Sequence, residues 1–294
     1  MRVQVITREN GYGLSKDIQV LREALPAHDV DFTDYNKPRK AGHWDWNIHL
    51  ELVNTAHFGS GTYNAFVPNP EWTAPSLAPA IKRFDILLAK TRHTERIMKH
   101  MHHNVQYVGW TSPEPIAMVD SELLSMVHIA GDSIGKGTGA VIEAAALCPD
   151  IPITILQRNS KAKVPDNVTM ITGTLTSEQV AEYRRAPVHL CPSVAEGFGH
   201  YINEARAMGA VVITTDAGPM DELILDTFGF RIPVCSEHPM RMDLEKRVCT
   251  DVLADCMYTA WNNKALWPAW SERGQAAYKE GREQFHKAIN ELIQ

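Results

Sequence analysis

The chain has 294 residues, of which 44% are hydrophobic and 22% charged, with a formal net charge of −6. These values describe an ordinary globular chain of about two domains and argue against a general binder of nucleic acid or membrane surfaces, a local basic patch aside. No run approaches the roughly 18 apolar residues that span a bilayer, so a soluble, cytoplasmic protein without a membrane span is expected. The cysteines Cys148, Cys191, Cys235, Cys249 and Cys256 are odd in number, scattered and mostly set in apolar runs, which reads as reduced core thiols with no zinc spacing.

In chain order, Met1–Thr7 is too short and polar for a signal peptide, and Val3–Thr7 reads as a first strand. It runs into Arg8-Glu9-Asn10-Gly11-Tyr12-Gly13-Leu14-Ser15 and a helix with apolar residues at Leu14, Ile18, Leu21 and Leu25. Strand, glycine loop and helix form the opening unit of a doubly wound α/β domain. Strands follow at Val30–Thr33, Trp46–Val53, Ala65–Pro68 and Phe84–Ala89, then a helix over about His93–His102 and a strand at Val105–Gly109. Thr111-Ser112-Pro113-Glu114-Pro115 carries two prolines in five residues and reads as a linker.

Beyond it the alternation restarts. Val127–Ala130 is a strand, followed by Gly131-Asp132-Ser133-Ile134-Gly135-Lys136-Gly137-Thr138-Gly139 and a helix through Leu147. Strands are expected at Ile151–Leu156, Val168–Ile171 and Pro187–Cys191, with a helix at Ser177–Arg185. A glycine-bracketed turn, Ser193–Gly199, then enters a helix, and Ala210–Thr215 is a strand leading to Asp216-Ala217-Gly218-Pro219. Pro219 suits a helix start, where its missing N–H costs nothing. The remainder reads as mainly helical. Trp261, Trp267 and Trp270 cluster at a bend, as packing for a last helix over about Ser271–Leu292 rather than as a sugar platform.

The Ser193–Ala205 stretch gathers the most chemistry. Backbone N–H groups of Phe198 and Gly199 lie at a helix start, which suits an anionic or oxygen-rich ligand. Glu196 sits in the turn and Glu204 about a turn into the helix, so both can face one crevice. Glu196-Gly197-Phe198-Gly199, Glu204-Ala205 and Ala207-Met208-Gly209-Ala210-Val211-Val212-Ile213 together resemble the E-x7-E region of retaining, nucleotide-sugar-dependent glycosyltransferases with the GT-B fold, in their family 4-like group. His128–Thr138 is similar to that family's phosphate-contacting segment, in a G-x-S-x-x-K-G-T variant. Pro68-Asn69-Pro70-Glu71-Trp72, Ala89-Lys90-Thr91 and Gly109-Trp110-Thr111-Ser112 look more weakly like pieces of one subgroup. The likeness is dense over about 127–225 and faint over the first 110 residues.

The resemblance implies an α/β fold of GT-B type: two Rossmann-like doubly wound domains facing a central cleft, with a C-terminal helix crossing back to the first. The corresponding boundaries are 1–113 on the acceptor side, 114–270 on the donor side, and 271–294 for the returning helix. It implies transfer of a sugar from a UDP- or GDP-linked donor to an acceptor hydroxyl with retention, without a metal or other cofactor. Lys136 would neutralise the diphosphate with Ser133 in the same loop, Glu204 would bind the ribose, and catalytic Glu196 would orient the sugar with Gly197, Phe198 and Gly199. Gly11 and Gly13 would let the first loop approach the diphosphate or the acceptor. The acceptor could be a glycan, lipid, protein or modified nucleic acid, and His49, His57, His93, Asn69 and Glu71 are acceptor-side candidates. The family often has Arg where this chain has Asp132; Arg158 is a candidate for the second cation.

Each residue also has a plainer reading. Glu204 could simply complement a helix dipole, Lys136 could be a solvated lysine, the histidines ordinary core or surface residues, and Asn69 and Glu71 parts of a proline-flanked turn. Three other functions stay open: an NAD-dependent oxidoreductase, a non-catalytic nucleotide-sugar-binding module, and a sugar-nucleotide epimerase. Against the first, Lys16 stands where the third glycine of G-x-G-x-x-G belongs.

Overall fold

Short apolar strands with a helix between most neighbours leave each strand no partner except a parallel one, and the computed structural model contains two such sheets. It describes residues 1–40, 42–115 and 117–294. The chain divides into two units. The first is Met1–Pro113 with Pro239–Asp243 and Glu280–Gln294; the second is Glu114–His238 with Leu244–Lys279.

In the first unit, β1 (Arg2–Thr7), α1 (Gly13–Ala24), β2 (Asp29–Asp34), β3 (Trp44–Leu50), β4 (Gly61–Val67), α2 (Ala78–Ile81), β5 (Ile86–Ala89), α3 (Arg92–Met98) and β6 (Val105–Tyr107) follow in order. The sheet runs β2-β1-β3-β4-β5-β6, all parallel, and its strand order reverses between β1 and β3. Helix α1 buries Leu14, Ile18 and Leu21 on one face, and with them Asp17. Asp17 Oδ2 lies 2.6 Å from Lys90 Nζ, and Asp17 Oδ1 accepts from Trp110 Nε1 at 2.6 Å. The Lys90 ammonium also stands 5.0 Å from the Trp110 ring centroid. Lys90 and Trp110, singled out as family-like, thus form a buried polar tie between α1 and the ends of β5 and β6. Helix α3 stops at Met98, short of the expected His102. His102 turns its ring onto the carbonyl of Phe84 (3.0 Å), and the chain tightens there through i→i+3 bonds such as Met101 N–H to Met98 O. Thr111 and Ser112 are buried.

The second unit begins with β7 (Met126–Gly131), α4 (Thr138–Leu147), β8 (Ile153–Gln157), β9 (Val168–Ile171), α5 (Ser177–Arg184), β10 (Val188–Cys191), α6 (His200–Ala207) and β11 (Val211–Thr215). The chain continues with β12 (Gly229–Ile232), β13 (Val234–Met240), β14 (Asp243–Val248), α7 (Thr250–Asn262) and α8 (Trp267–Leu292), of which Pro239–Asp243 and the end of α8 belong to the first unit. The second unit's parallel sheet runs β12-β11-β10-β7-β8-β9, the 6-5-4-1-2-3 order of a doubly wound nucleotide-binding domain, reversing between β7 and β10. Ile153, Ile155, Leu190, Val211 and Ile213 pack under Val141, Ala144 and Ala145 of α4 and Leu253 and Met257 of α7. Trp267 is buried in this core, with Trp261 and Trp270 packed against it, and Trp267 Nε1 donates to Ala260 O at 2.9 Å. The tryptophan cluster is packing. Helix α8 belongs to the second unit through Lys279 and to the first from Glu280, where Phe285 packs on Trp110 at 4.7 Å. No helix among the described residues is long and apolar enough to cross a membrane.

One expectation is completed and one corrected. The segment after Pro219 is mainly helical, through α7 and α8, but it also holds β12 and the two-stranded β13–β14 sheet, which the sequence reading did not give. Pro233, Pro239 and a run of charges hide these strands, and β14 gives no regular alternation: Asp243, Lys246 and Val248 are buried while Leu244 is exposed. Not all five cysteines are reduced. Cys235 and Cys249 form a disulfide across the ends of that sheet, Cα atoms 5.2 Å apart, while Cys148, Cys191 and Cys256 are free. The pairing escapes a sequence reading because it depends on the hairpin register.

Asp17→Asn should cost about 3–5 kcal/mol in denaturant unfolding, since it leaves the Lys90 ammonium buried without its carboxylate; a loss under about 1 kcal/mol would mean that the pair is not a structural tie. Burial lowers the pKa values of His49, His128 and His189 to about 3, 4 and 4. The unfolded chain, with ordinary histidines, takes up protons that the folded chain refuses. Stability held above pH 6.5 is therefore lost as the pH falls toward 4, by up to about 2 kcal/mol per ring at pH 5. Urea midpoints at pH 7 and pH 5 check this, and equal midpoints would refute it.

Candidate functional site

In open α/β sheets ligands bind beyond the carboxyl ends of strands at the point where strand order reverses. In the second unit that point lies between β7 and β10. The chain leaving β7 passes through Gly131 (φ +58°), Asp132 and Ser133, makes a tight turn over Ile134–Lys136, and enters α4 through Gly137 (φ +74°). Ser133 Oγ accepts from the Gly135 N–H at 3.2 Å and so shapes the turn. Gly137 is required twice over: its backbone is left-handed, and a Cβ there would stand 2.1 Å from the Pro192 carbonyl oxygen. The loop after β7 therefore lies directly on the loop after β10, and Val194 N–H donates to Gly135 O at 2.9 Å.

That close approach joins the expected site residues. Lys136 Nζ forms an ion pair with Glu196 Oε1. The same carboxylate oxygen accepts from Ser193 Oγ at 2.5 Å, and the hydroxyls of Ser193 and Tyr201 are 2.6 Å apart. Because the single Ser193 proton goes to the carboxylate, Tyr201 must donate to Ser193. Burial raises the Tyr201 pKa well above its ordinary value, so the phenol stays neutral and able to donate. The Lys136 ammonium also lies 3.9 Å from the Tyr201 ring centroid. Ser193 and Tyr201 are members of this cluster that sequence reading did not single out. Tyr201 and Glu204 stand three apart on α6, on one face, and that spacing was the available signal.

Gly199 (φ +97°) precedes His200, the first residue of α6, with Phe198 buried beside it and Gly197 after Glu196. Glu204, on the next turn, is buried and lies 3.0 Å from Arg184 Nη1 at the end of α5. Arg184, His189, Cys191, Tyr201 and Glu204 line one cavity of about 10 Å³, room for a single water. His128 accounts for the base of the site: Nδ1–H donates to Leu190 O at 2.7 Å, and Nε2 accepts from Thr138 Oγ1 at 2.9 Å, pinning α4 to β10 as a neutral ring. Arg158 does come to the Gly131 loop, where its N–H donates to Gly131 O, but its guanidinium lies 2.6 Å from Asp132 Oδ2. The residue proposed as a compensating cation holds the anion that made compensation necessary.

In the first unit, Gly11 (φ +71°) donates its N–H to Ser15 Oγ at 2.9 Å, and Gly13 opens α1. No atom lies within 4 Å of where a Gly11 Cβ would stand, so conformation rather than space calls for glycine there. His49 is fully buried among Phe58, Phe84 and His57, ring centroids 5.5, 5.1 and 6.4 Å away. It is a core histidine, and His57 is buried beside it. His93 pairs with Asp243 at 2.9 Å. Asn69 donates to Glu51 Oε2 at 2.8 Å, and Glu71 is buried in the same turn. Glu51, which sequence reading passed over, holds a left-handed backbone (φ +61°) at the end of β3, beside this sheet's own reversal point.

Residues 155–245 match the sequence family described as glycosyl transferases group 1. The match takes in the Glu196 turn and α6 and begins after the Lys136 loop. No curated protein matches in sequence. Solved structures show the GT-B fold. A sucrose-phosphate synthase from Thermosynechococcus elongatus superposes with TM-score 0.77 at 13% identity, covering 100% of this chain and 98% of that one. The Anabaena protein HepE, solved in complex with UDP-glucose, superposes with TM-score 0.68 at 14% identity, covering 100% and 99%. The pneumococcal O-GlcNAc transferase GtfA, solved with UDP and GlcNAc, gives 0.60 at 15% identity over 84% of this chain and 57% of that one.

Gly137→Ala tests the loop contact. It forces an unfavourable left-handed residue, at about 1–2 kcal/mol, and drives a methyl into the Pro192 carbonyl. Melting temperature should fall and the Lys136–Glu196 pair should separate; a crystal structure with both loops unmoved would contradict the contact.

Proposed function

We propose that the chain is a retaining glycosyltransferase that moves a sugar from a nucleoside-diphosphate donor to an acceptor hydroxyl without a metal. The observation that supports this most is the joined Lys136–Glu196–Ser193–Tyr201 set at the strand-order reversal of the second unit, with Glu204 one helical turn beyond and the Glu196 turn inside the segment similar to glycosyl transferases group 1. In this reading Lys136 exchanges Glu196 for the donor diphosphate, assisted by the N-terminal ends of α4 and α6. Charge developing on the leaving diphosphate then meets a cation already held in place against the Tyr201 ring, which is electrostatic preorganisation. Released from Lys136, Glu196 keeps its Ser193 hydrogen bond and turns its other oxygen to a sugar hydroxyl. Glu204, oriented by Arg184, receives the ribose hydroxyls. Asp132 and Arg158 compensate each other at the loop edge and add no net charge to the diphosphate. UDP- and GDP-linked sugars are the donor candidates, and a glycan, lipid, protein or modified nucleic acid is the acceptor.

The test is a screen of common nucleotide sugars, scored by release of nucleoside diphosphate with and without EDTA, with the product anomer read by NMR. Release insensitive to EDTA and a retained anomer are expected. Thermal stabilisation by NAD alone, or donor conversion without any acceptor, would sink the reading. Within it, Lys136→Ala should weaken nucleoside-diphosphate binding by about 1.5–3 kcal/mol, the scale of a charge-assisted hydrogen bond. Glu196→Gln should lower turnover more than donor affinity. Full activity in the glutamine variant would remove Glu196 from the chemistry.

A further inference from the structure

Val194 is held from two sides. Its N–H donates to Gly135 O, and its own carbonyl accepts from the Lys246 N–H at 2.8 Å, so one strand of β14 is laid along the turn that carries Glu196. Lys246 is only 4% exposed, and its Nζ donates to Gly218 O at 3.0 Å, in the turn that follows β11. Two threonines of β11 reach the same place: Thr214 Oγ1 donates to Cys191 O at 2.9 Å and Thr215 Oγ1 to Ser193 O at 2.7 Å. Immediately after β14, Cys249 is bonded to Cys235, which closes the hairpin that delivers Lys246. An ammonium is costly to bury, and a leucine or methionine would fill the space at no such cost. Its position is accounted for by the two turns it joins.

We propose that Lys246 is a positioning residue for sugar transfer: main chain and ammonium together clamp the Val194–Glu196 turn to the Gly218 turn, fixing where the Glu196 carboxylate stands. The inference rests on the glycosyltransferase reading above. Its role differs from that of Lys136 because Lys246 acts on the turns and not on the diphosphate. Lys246→Met keeps the stem and removes the bond to Gly218. Turnover should fall about 10- to 100-fold, the scale of a carboxylate misplaced by about an ångström. Nucleoside-diphosphate affinity, measured by calorimetry, should stay within about twofold, since Lys136 and Glu204 are untouched. Amide exchange should quicken in Val194–Gly199 and Ala217–Asp221.

Unchanged turnover overturns the proposal. So does an equal loss of nucleoside-diphosphate affinity, which would make Lys246 a ligand of the diphosphate or a support of the whole unit. Should Lys246→Met fail to fold, Lys246→Arg is read instead, because it keeps the charge and shifts the donor. Lower turnover with faster exchange confined to those two turns supports the clamp, and unchanged turnover and protection refute it. A wild-type protein that releases no diphosphate from any nucleotide sugar defeats the functional reading instead, and the clamp then stands or falls on the exchange pattern alone.

Discussion

Gly137 allows the loop after β7 to rest on the Pro192 carbonyl with no side chain between them. That approach sets the spacing of everything that follows. It aligns Gly135 with Val194 for a main-chain hydrogen bond, and it carries Lys136 to Glu196 across sixty residues of sequence. It also places the ammonium over the Tyr201 ring, in surroundings where charge is poorly screened. A larger residue at Gly137 would part the two loops, and with them the cation and the carboxylate.

Each charged group expected to meet a ligand is already engaged by the protein: Lys136 with Glu196, Glu204 with Arg184, and Asp132 with Arg158. In the first two pairs the carboxylates are the better shielded members, so it is they that gain most from a partner. In the proposed reading, a diphosphate that takes Lys136 replaces one anionic partner by another, and the carboxylate it releases is still held by Ser193 and, through it, by Tyr201. The cation would then be ordered before the ligand arrives, with little reorganisation left for the reaction. In the first unit the same chemistry serves the fold. Asp17, Lys90 and Trp110 satisfy one another in the interior, on the apolar face of α1.

The β13–β14 hairpin shows how a segment of little apparent character comes to bear on the site. Most of its first strand is exposed, and it contributes little to the core beyond Val248. Yet it lays a main-chain N–H along the Glu196 turn and a buried ammonium against Gly218, and a disulfide closes its ends. Backbone groups in irregular turns must find partners somewhere, and here β14 supplies them.

The local patterns of apolar strands, glycine loops and amphipathic helices determine two parallel α/β sheets, and the glycine loop around Lys136 and the Glu196–Glu204 pair are each legible as candidate site segments, because each is set by residues close together in the chain. Family-like segments in the first half were equally legible as motifs, but their use was not. Lys90 and Trp110 meet Asp17, and His49 enters an aromatic core, through contacts that no local spacing encodes. The same limit hid Ser193 and Tyr201 as supports of Glu196, the Cys235–Cys249 bond, and Lys246. Whether a glutamate at the end of a strand stands alone or in a network depends on which distant loop lies against it. In this chain tertiary structure decided that, by bringing the loops after β7 and β10 and strand β14 within hydrogen-bonding distance of one turn.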